Sequence, residues 1–345
     1  MKKIFFLSIS VFITATLLYY VISSNPVADW KRVLFHLNSS YLFWYLLLYG
    51  LGLLLRTFRY HLLLKSVKSP VLPSFWNLVL VTGVRNMLVD FLPARAGSLS
   101  YIVLLNRAFN VDLSPCLSSF TYSFLFDQLA MAPLLAMTLM LEGLTSHKNY
   151  PWLWGLALMI LIVASTLIMS LGPLIRLFSH WSGGKAHWWR KYARLKDVDR
   201  QFQDLSLSFS TLKQSHIFWP TLGLSILIRA TKYLSLYILL SAVLQALSGQ
   251  WIRLPFWVVL LGLVGSEASA GLPISGIAGF GFYEGILGAV LSTQGIYPSH
   301  AVLVSFAMHF FTQVVDYSLG GGALLYILIR LSGGKKTKSI THPHS

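Results

Sequence analysis

The stretch GLPISGIAGFGFYEG, residues 271–285, decides how this chain is read. It lies in the most apolar third of the sequence, yet it interrupts its own helical run with Pro273 and a series of glycines and then places a carboxylate, Glu284. Within a bilayer, irregular backbone is tolerated only where protein or a water-filled cavity surrounds it. An acid at the bilayer centre costs about 2.5–3.5 kcal/mol on insertion scales. The stretch therefore reads as a broken helix lining a polar feature.

Composition supplies the membrane. The 345 residues are 55% hydrophobic and 11% charged, with 27 Lys+Arg against 11 Asp+Glu, far below the charge content of a soluble domain. The basic residues lie in short segments between apolar runs and not along one face, so cytoplasmic flanks explain the formal charge of +16 better than nucleic acid does. Cys116 is the single cysteine, which excludes an intrachain disulfide framework and a cysteine metal site. No H-E-x-x-H, P-loop, Rossmann fingerprint or nucleophile elbow occurs. The expectation is a protein that is not an enzyme, with no cofactor and no metal.

Continuous apolar segments long enough to span, at about 20 residues each, run over 4–24, 41–64, 114–141, 152–172, 217–247 and 300–329. The first is read as an uncleaved signal anchor, because VISSNP (21–26) offers no A-x-A cleavage pattern. Residues 27–37 read as a short interfacial helix. Two further apolar stretches are interrupted, 75–109 by FLPARAG (91–97) and 255–296 by the opening motif. Each is either a re-entrant hairpin or a pair of full helices, and arms of about 15 to 20 residues favour hairpins. The fold class is thus an all-α polytopic membrane protein with about six full spans and two interrupted helical hairpins.

Charge bias orients it. With both termini cytoplasmic, the outer loops hold only Lys31, Arg32, Lys148 and Arg253, while Lys2, Lys3, the group Arg56, Arg59, Lys65 and Lys68, the basic 173–216 loop and the C-terminal lysines fall inside. Localisation in the cell (inner) membrane is expected. The half-loop 197–213 is either a surface-lying amphipathic helix or a solvated connector. Residues 333–345 read as a disordered basic tail.

The two interrupted stretches resemble each other. FLPARAGS precedes an apolar helix, NVDLSP (110–115) and a span with Asp127; the opening motif precedes an apolar helix, GIYPSH (295–300) and a span with Asp316. One integral domain, 1–345, then divides into repeats at 1–145 and 146–332. Three crossings per half would invert the second repeat, a recurrent transporter plan in which the breaks mark the substrate site.

These residues resemble the lysylphosphatidylglycerol synthase transmembrane, or flippase-like, family, over nearly the whole chain from RTFRYHLLLK (56–65) to the final helix. An Asn before Pro-x-Arg-x-Gly-Glu is matched by Asn86, Pro93, Arg95 and Gly97, with Ser98 in place of the acid. Of a Glu-Arg-x-x-Asp pattern only Asp127 remains, Ser123 and Phe124 occupying the first two positions. A Pro followed by a glycine turn and Gly-x-x-Glu is matched by Pro273, Gly279, Gly281 and Glu284, and His309 stands where an Arg is usual. The resemblance implies handling of lipids or lipid-linked sugars, and the ending of the chain soon after its last span implies no soluble aminoacyltransferase domain.

Intramembrane charges sharpen the expectation. Arg85 and Arg95 suit a lipid phosphate through bidentate guanidinium contacts; the alternatives are pairing with Asp90 and, chiefly for Arg107, snorkelling. Glu284 could take a cationic headgroup, a proton, or a base such as Arg229 or Lys232. Asp127, Glu267, His309 and Asp316 are candidates for ion or proton coupling, each equally a packing residue. The function expected is a transporter carrying an anionic lipid headgroup, of a phospholipid or polyprenyl-phosphate-linked lipid, between leaflets. A non-catalytic partner of lipid- or envelope-glycan-biosynthesis proteins and a membrane-embedded lipid-carrier transferase are the alternatives; a homo-oligomer is compatible with each.

Overall fold

The computed structural model describes residues 2–67, 69–145, 152, 154–163, 166, 216–270 and 276–338. Helix α1 (Lys2–Ser24) is followed by α2 (Val27–Phe35), and α3 covers Ser39–Ser66. Helix α4 (Phe75–Phe91), a 3-10 segment (Pro93–Leu99) and α5 (Ser100–Phe109) form the first interrupted stretch; α6 (Leu113–Thr145) follows. Helices α7 (Trp154–Val163) and α8 (Phe218–Ser248) lead to the second interrupted stretch, α9 (Phe256–Ala270), a short 3-10 turn (Ile277–Gly279) and α10 (Phe282–Thr293), and then to α11 (Pro298–Lys338). No strand occurs among the described residues.

Four helices are long and apolar enough to cross a membrane, and the pair α1 and α2, bent by 108°, adds a fifth if it counts as one span. The chain is a multi-pass membrane protein. The expected spans at 41–64, 114–141, 217–247 and 300–329 are single long helices, and Pro26 sits in the bend that separates the first span from the expected interfacial helix. Of 152–172, the described part holds only the short α7; the 173–216 loop lies outside the described residues except His216. Helix α11 continues to Lys338, and 339–345 lie outside the described residues.

Local signals place the elements. Ser74 caps α4 by accepting from the Asn77 N–H at 3.3 Å. Past the ends of α5 and α10 the backbone turns left-handed at Asn110 (φ 53°) and Gly295 (φ 84°), and the next long helix begins three residues later in both cases, at Leu113 and at Pro298. One order of elements, helix, break, helix, left-handed turn and long helix, therefore occurs twice along the chain.

The chain separates into two compact units. The first comprises Met1–Leu54, Ser74–Phe109 and Thr231–Ser345, the second Leu55–Pro73 and Asn110–Ala230. In the first, α4 packs along α11, α9 along α10, and α10 along α11. Small residues make these approaches close, as expected where lipid removes the hydrophobic drive between helices. A Cβ on Gly288 would come within 2.9 Å of Val302 Cγ2, and one on Gly262 within 3.0 Å of Leu287 Cδ1. Val84, Ala323 and Ile327 form the buried apolar seam between α4 and α11. In the second unit, Leu63, Tyr122, Phe126, Leu129 and Phe218 make a cluster joining α3, α6 and α8. Outward aromatic and aliphatic side chains such as Phe12, Trp76 and Ile329 are left exposed, the surface a lipid-facing helix presents.

Candidate functional site: two helix breaks and their charges

The first break is built by close backbone approach. Pro93 opens the 3-10 segment, where a missing N–H is harmless, and Gly97 folds back so tightly on α4 that an added Cβ would lie 1.8 Å from the Leu88 carbonyl oxygen. Gly97 is thus required by geometry. Arg95 adopts φ 54°, a left-handed conformation that costs a non-glycine residue energy. Its guanidinium is exposed, and Nη2 donates to the main-chain carbonyl of Glu267 at 2.7 Å. Glu267 lies in the last turn of α9, whose carbonyls have no partner within the helix. A cation at a helix C-terminus also complements the macrodipole. The first break is therefore fastened to the entrance of the second.

In the second break, Ala278 (φ 53°), Gly279 (φ 83°) and Gly281 (φ 125°) carry the reversal. Gly281 is needed twice over, since its φ favours glycine and a Cβ there would fall 2.3 Å from Ile13 Cγ2. Thr14 of α1 donates to the Phe280 carbonyl at 3.3 Å. Pro273 lies outside the described residues.

Glu284 is fully buried in the first turn of α10. One carboxylate oxygen accepts from the Gly281 N–H at 2.6 Å, and the other meets His309 Nδ1 of α11, also at 2.6 Å. His309 stacks on Phe280 and lies at a tilt against Tyr283, each ring centroid 4.5 Å from its own. Gln313, one helical turn on, places its amide nitrogen 2.9 Å from His309 Nε2 and donates to the Ala278 carbonyl at 2.7 Å. Of the partners weighed for Glu284, Lys232 instead pairs with Glu267 at 2.6 Å. Tyr233 Oη also lies within 3.4 Å of Glu267.

Asp90, at the end of α4, interacts electrostatically with His309, Lys232, Arg95 and Glu267. It joins the charges of both breaks. Asp316 accepts from Tyr49 Oη at 2.5 Å, and Tyr49 also hydrogen-bonds Asn86. Arg85 stands apart: among the described residues its side chain makes one hydrogen bond, a long one from Nη1 to Asn86 Oδ1 at 3.4 Å, and its buried Nε makes none. No carboxylate among the described residues forms an ion pair with it. Tyr45 Oη and Tyr317 Oη, both buried, likewise find no hydrogen bond among the described residues, and both tyrosines interact electrostatically with Asp90 and Asp316. Arg107 is exposed on α5, and Ser98 is half-buried in the 3-10 segment.

Asp127 belongs to the second unit. There Arg59, with no exposed surface, donates from Nη1 to Asp127 at 2.7 Å and to Ser225 Oγ at 2.8 Å, and from Nη2 to Ser123 Oγ at 2.6 Å and Asp127 at 3.1 Å. Arg229 approaches the same carboxylate at 3.7 Å. Asp127 is therefore a structural ion-pair partner in this geometry. The sequence reading counted Arg59 among the cytoplasmic flanks, and the structure corrects that by burying it inside α3. The available signal was an arginine within a 28-residue helical run, where a charge needs a partner. Gln313 and Tyr49 were also missed; Gln313 could have been found as the residue four after His309, on the same helix face.

Among the described residues no group of three or more His, Cys, Asp and Glu could hold a metal ion. The polar side chains gathered at the two breaks are guanidinium, ammonium, amide and hydroxyl donors, the carboxylates that accept from them, and the His309 imidazole.

No curated protein and no solved structure matches the chain. A family model does, over residues 7–320, a range containing both breaks and every charged contact just described. Membership ties the fold to lipid handling: the chain belongs to the family of the lysylphosphatidylglycerol synthase TM region.

Proposed function

We propose that this protein moves an anionic lipid headgroup between leaflets, along a polar path between its two helix breaks, while the lipid tails stay in the bilayer. The observation that carries the reading is Arg85, a half-buried guanidinium in an apolar helix with no carboxylate partner among the described residues. A charge so placed is costly unless something anionic visits it. Arg95 adds a second guanidinium, of which Nη2 is engaged by the Glu267 carbonyl, and the fork geometry of both suits phosphate oxygens. The headgroup belongs to a phospholipid or a polyprenyl-phosphate-linked lipid. The two copies of the helix–break–helix order would be inverted in the membrane, with both termini cytoplasmic in the cell (inner) membrane, and rocking of one against the other would give alternating access. No bond is made or broken in this scheme, so the protein is not an enzyme.

The test is leaflet exchange in proteoliposomes, following fluorescent anionic phospholipids and a polyprenyl phosphate. Acceleration over empty vesicles, lost in Arg85→Gln, is the expected result. No acceleration for either lipid class would sink the reading.

A further inference from the structure

The contacts around His309 fix which of its nitrogens carries hydrogen. The Ala278 carbonyl can only accept, so the atom of Gln313 that faces it at 2.7 Å must be the amide nitrogen. That same nitrogen lies 2.9 Å from His309 Nε2. An amide nitrogen only donates, so Nε2 must be the bare, accepting nitrogen, and Nδ1 carries the hydrogen that is donated to Glu284 at 2.6 Å. His309 is therefore neutral in this arrangement.

We infer that His309 is a proton-binding site whose occupancy is mutually exclusive with the clamp that Gln313 places on the second break. A proton entering from water can add only at Nε2. It turns Nε2 into a donor facing a donor. The Gln313 amide must then turn to present its oxygen, which removes the hydrogen bond to Ala278. Ala278 is held at φ 53°, a conformation that favours glycine, so it depends on such fixed contacts. Protonation thus strengthens the His309–Glu284 bridge by making it an ion pair while it frees the backbone of the break beside it.

The charged groups closest to His309 are carboxylates. From α10, His309 faces Glu284 and Tyr283. From α4 it interacts with Asp90, which also feels Lys232, Arg95 and Glu267. Along α11 itself Asp316 lies two turns on and is engaged by Tyr49. The only charged residues of α1 are Lys2 and Lys3, at its start. The acid of α2, Asp29, pairs instead with His300 at the start of α11 and with Arg32. The nearest charged partners of the imidazole are carboxylates, and none of these contacts prevents a second proton on its ring.

In use, this inference rests on the transport reading: it supplies the ion whose binding would be linked to opening of the headgroup path. Its chemistry does not, so the test reads the break directly. Amide hydrogen exchange of residues 276–285 is measured on the purified protein in phosphatidylglycerol–phosphatidylethanolamine nanodiscs at about pH 5 and about pH 8, the range in which histidine ordinarily changes charge, after correction for intrinsic exchange rates. The expected result is exchange about threefold to tenfold faster at the acidic end, the size of one lost hydrogen bond. His309→Gln should abolish that difference, and Gln313→Leu should exchange fast at both ends. Where one variant does not fold, the other still decides. Equal corrected exchange in the unmodified protein at both ends, or an unchanged pH difference in a folded variant, overturns the inference. A pH-dependent break in a protein that exchanges no lipid would defeat the transport reading and leave this one standing.

Discussion

Arg95 holds the main-chain carbonyl of Glu267 at 2.7 Å, tying a left-handed residue of one helix break to the last turn of the helix that leads into the other. Because the acceptor is backbone, no exchange of acidic side chains can reproduce the contact. It depends on where α9 ends and on the reach of a guanidinium. A phosphate oxygen could compete for the same donors, so the clasp and the proposed substrate share one group.

Replacing Arg95 by Ala should separate two effects. The side chain is exposed, so its loss is expected to cost about 1 kcal/mol or less of stability, with solvent screening the charge. Leaflet exchange of an anionic lipid should fall at least about tenfold, the size of a lost charge-assisted contact. Thermal unfolding in detergent and the proteoliposome assay check the two halves. A large loss of melting temperature with unchanged exchange per folded molecule would make Arg95 purely structural.

Lys232 and Glu267 meet at 2.6 Å with side chains 34% and 12% exposed. Lys232→Glu or Glu267→Lys alone sets like charges against each other and leaves Asp90 with altered neighbours. Each is expected to reduce both folded yield and exchange, and the double swap should recover most of the folded yield. The double swap also reverses the field at Asp90, so exchange should recover less than stability does. Measuring both quantities in the four proteins of the cycle tests this coupling.

Arg59 and Asp127 form the buried polar centre of the second unit. Asp127→Asn leaves a guanidinium of zero exposure without its counter-charge, a change that costs about 3–5 kcal/mol in buried pairs. Arg59→Met, which removes the buried cation itself, should cost less when combined with Asp127→Leu than when made alone. The expected order of melting temperatures is unmodified protein, then the apolar double variant, then either single variant. Singles as stable as the unmodified chain would mean that the network is solvated.

Much of this was legible in the residues. Pro and Gly inside apolar runs marked both breaks, because a bilayer does not forgive unpaired backbone, and the matching segments NVDLSP and GIYPSH both begin at a left-handed residue, Asn110 and Gly295, a conformation the sequence reading did not foresee. Glu284 was visible as a charge that needed a reason. Its partner was harder to see. His309 lies 25 positions away in the chain, and only the packing of α10 on α11 selects it over Lys232. Arg59 was misread for a related reason: positive charge near a span end has the same signature whether it faces cytoplasm or the interior. Gly97 was read as part of a binding motif, whereas the close approach to Leu88 gives it a structural need that composition alone does not reveal.

Gly320 offers a test of the seam that aligns the first break with α11. A Cβ at this position would come 2.4 Å from Met87 Cβ and 2.8 Å from the Gly83 carbonyl oxygen, one of them rigid backbone. The side chain of Met87 cannot move away without α4 shifting as well, since the contact is at its Cβ. Gly320→Val should therefore force the helices apart, at a cost of about 1–3 kcal/mol or more for overpacking. It should also disturb Asp90 and Arg85, which lie on the same helix. Gly321, its neighbour, has nothing within 4 Å of an added Cβ. Gly321→Val serves as the control, since it makes the same chemical change where there is room and gains slightly in helix propensity. Lower melting temperature and lower exchange confined to the Gly320 variant would locate the constraint in the α4–α11 seam. Equal effects at both positions would instead place it in the flexibility of α11 itself.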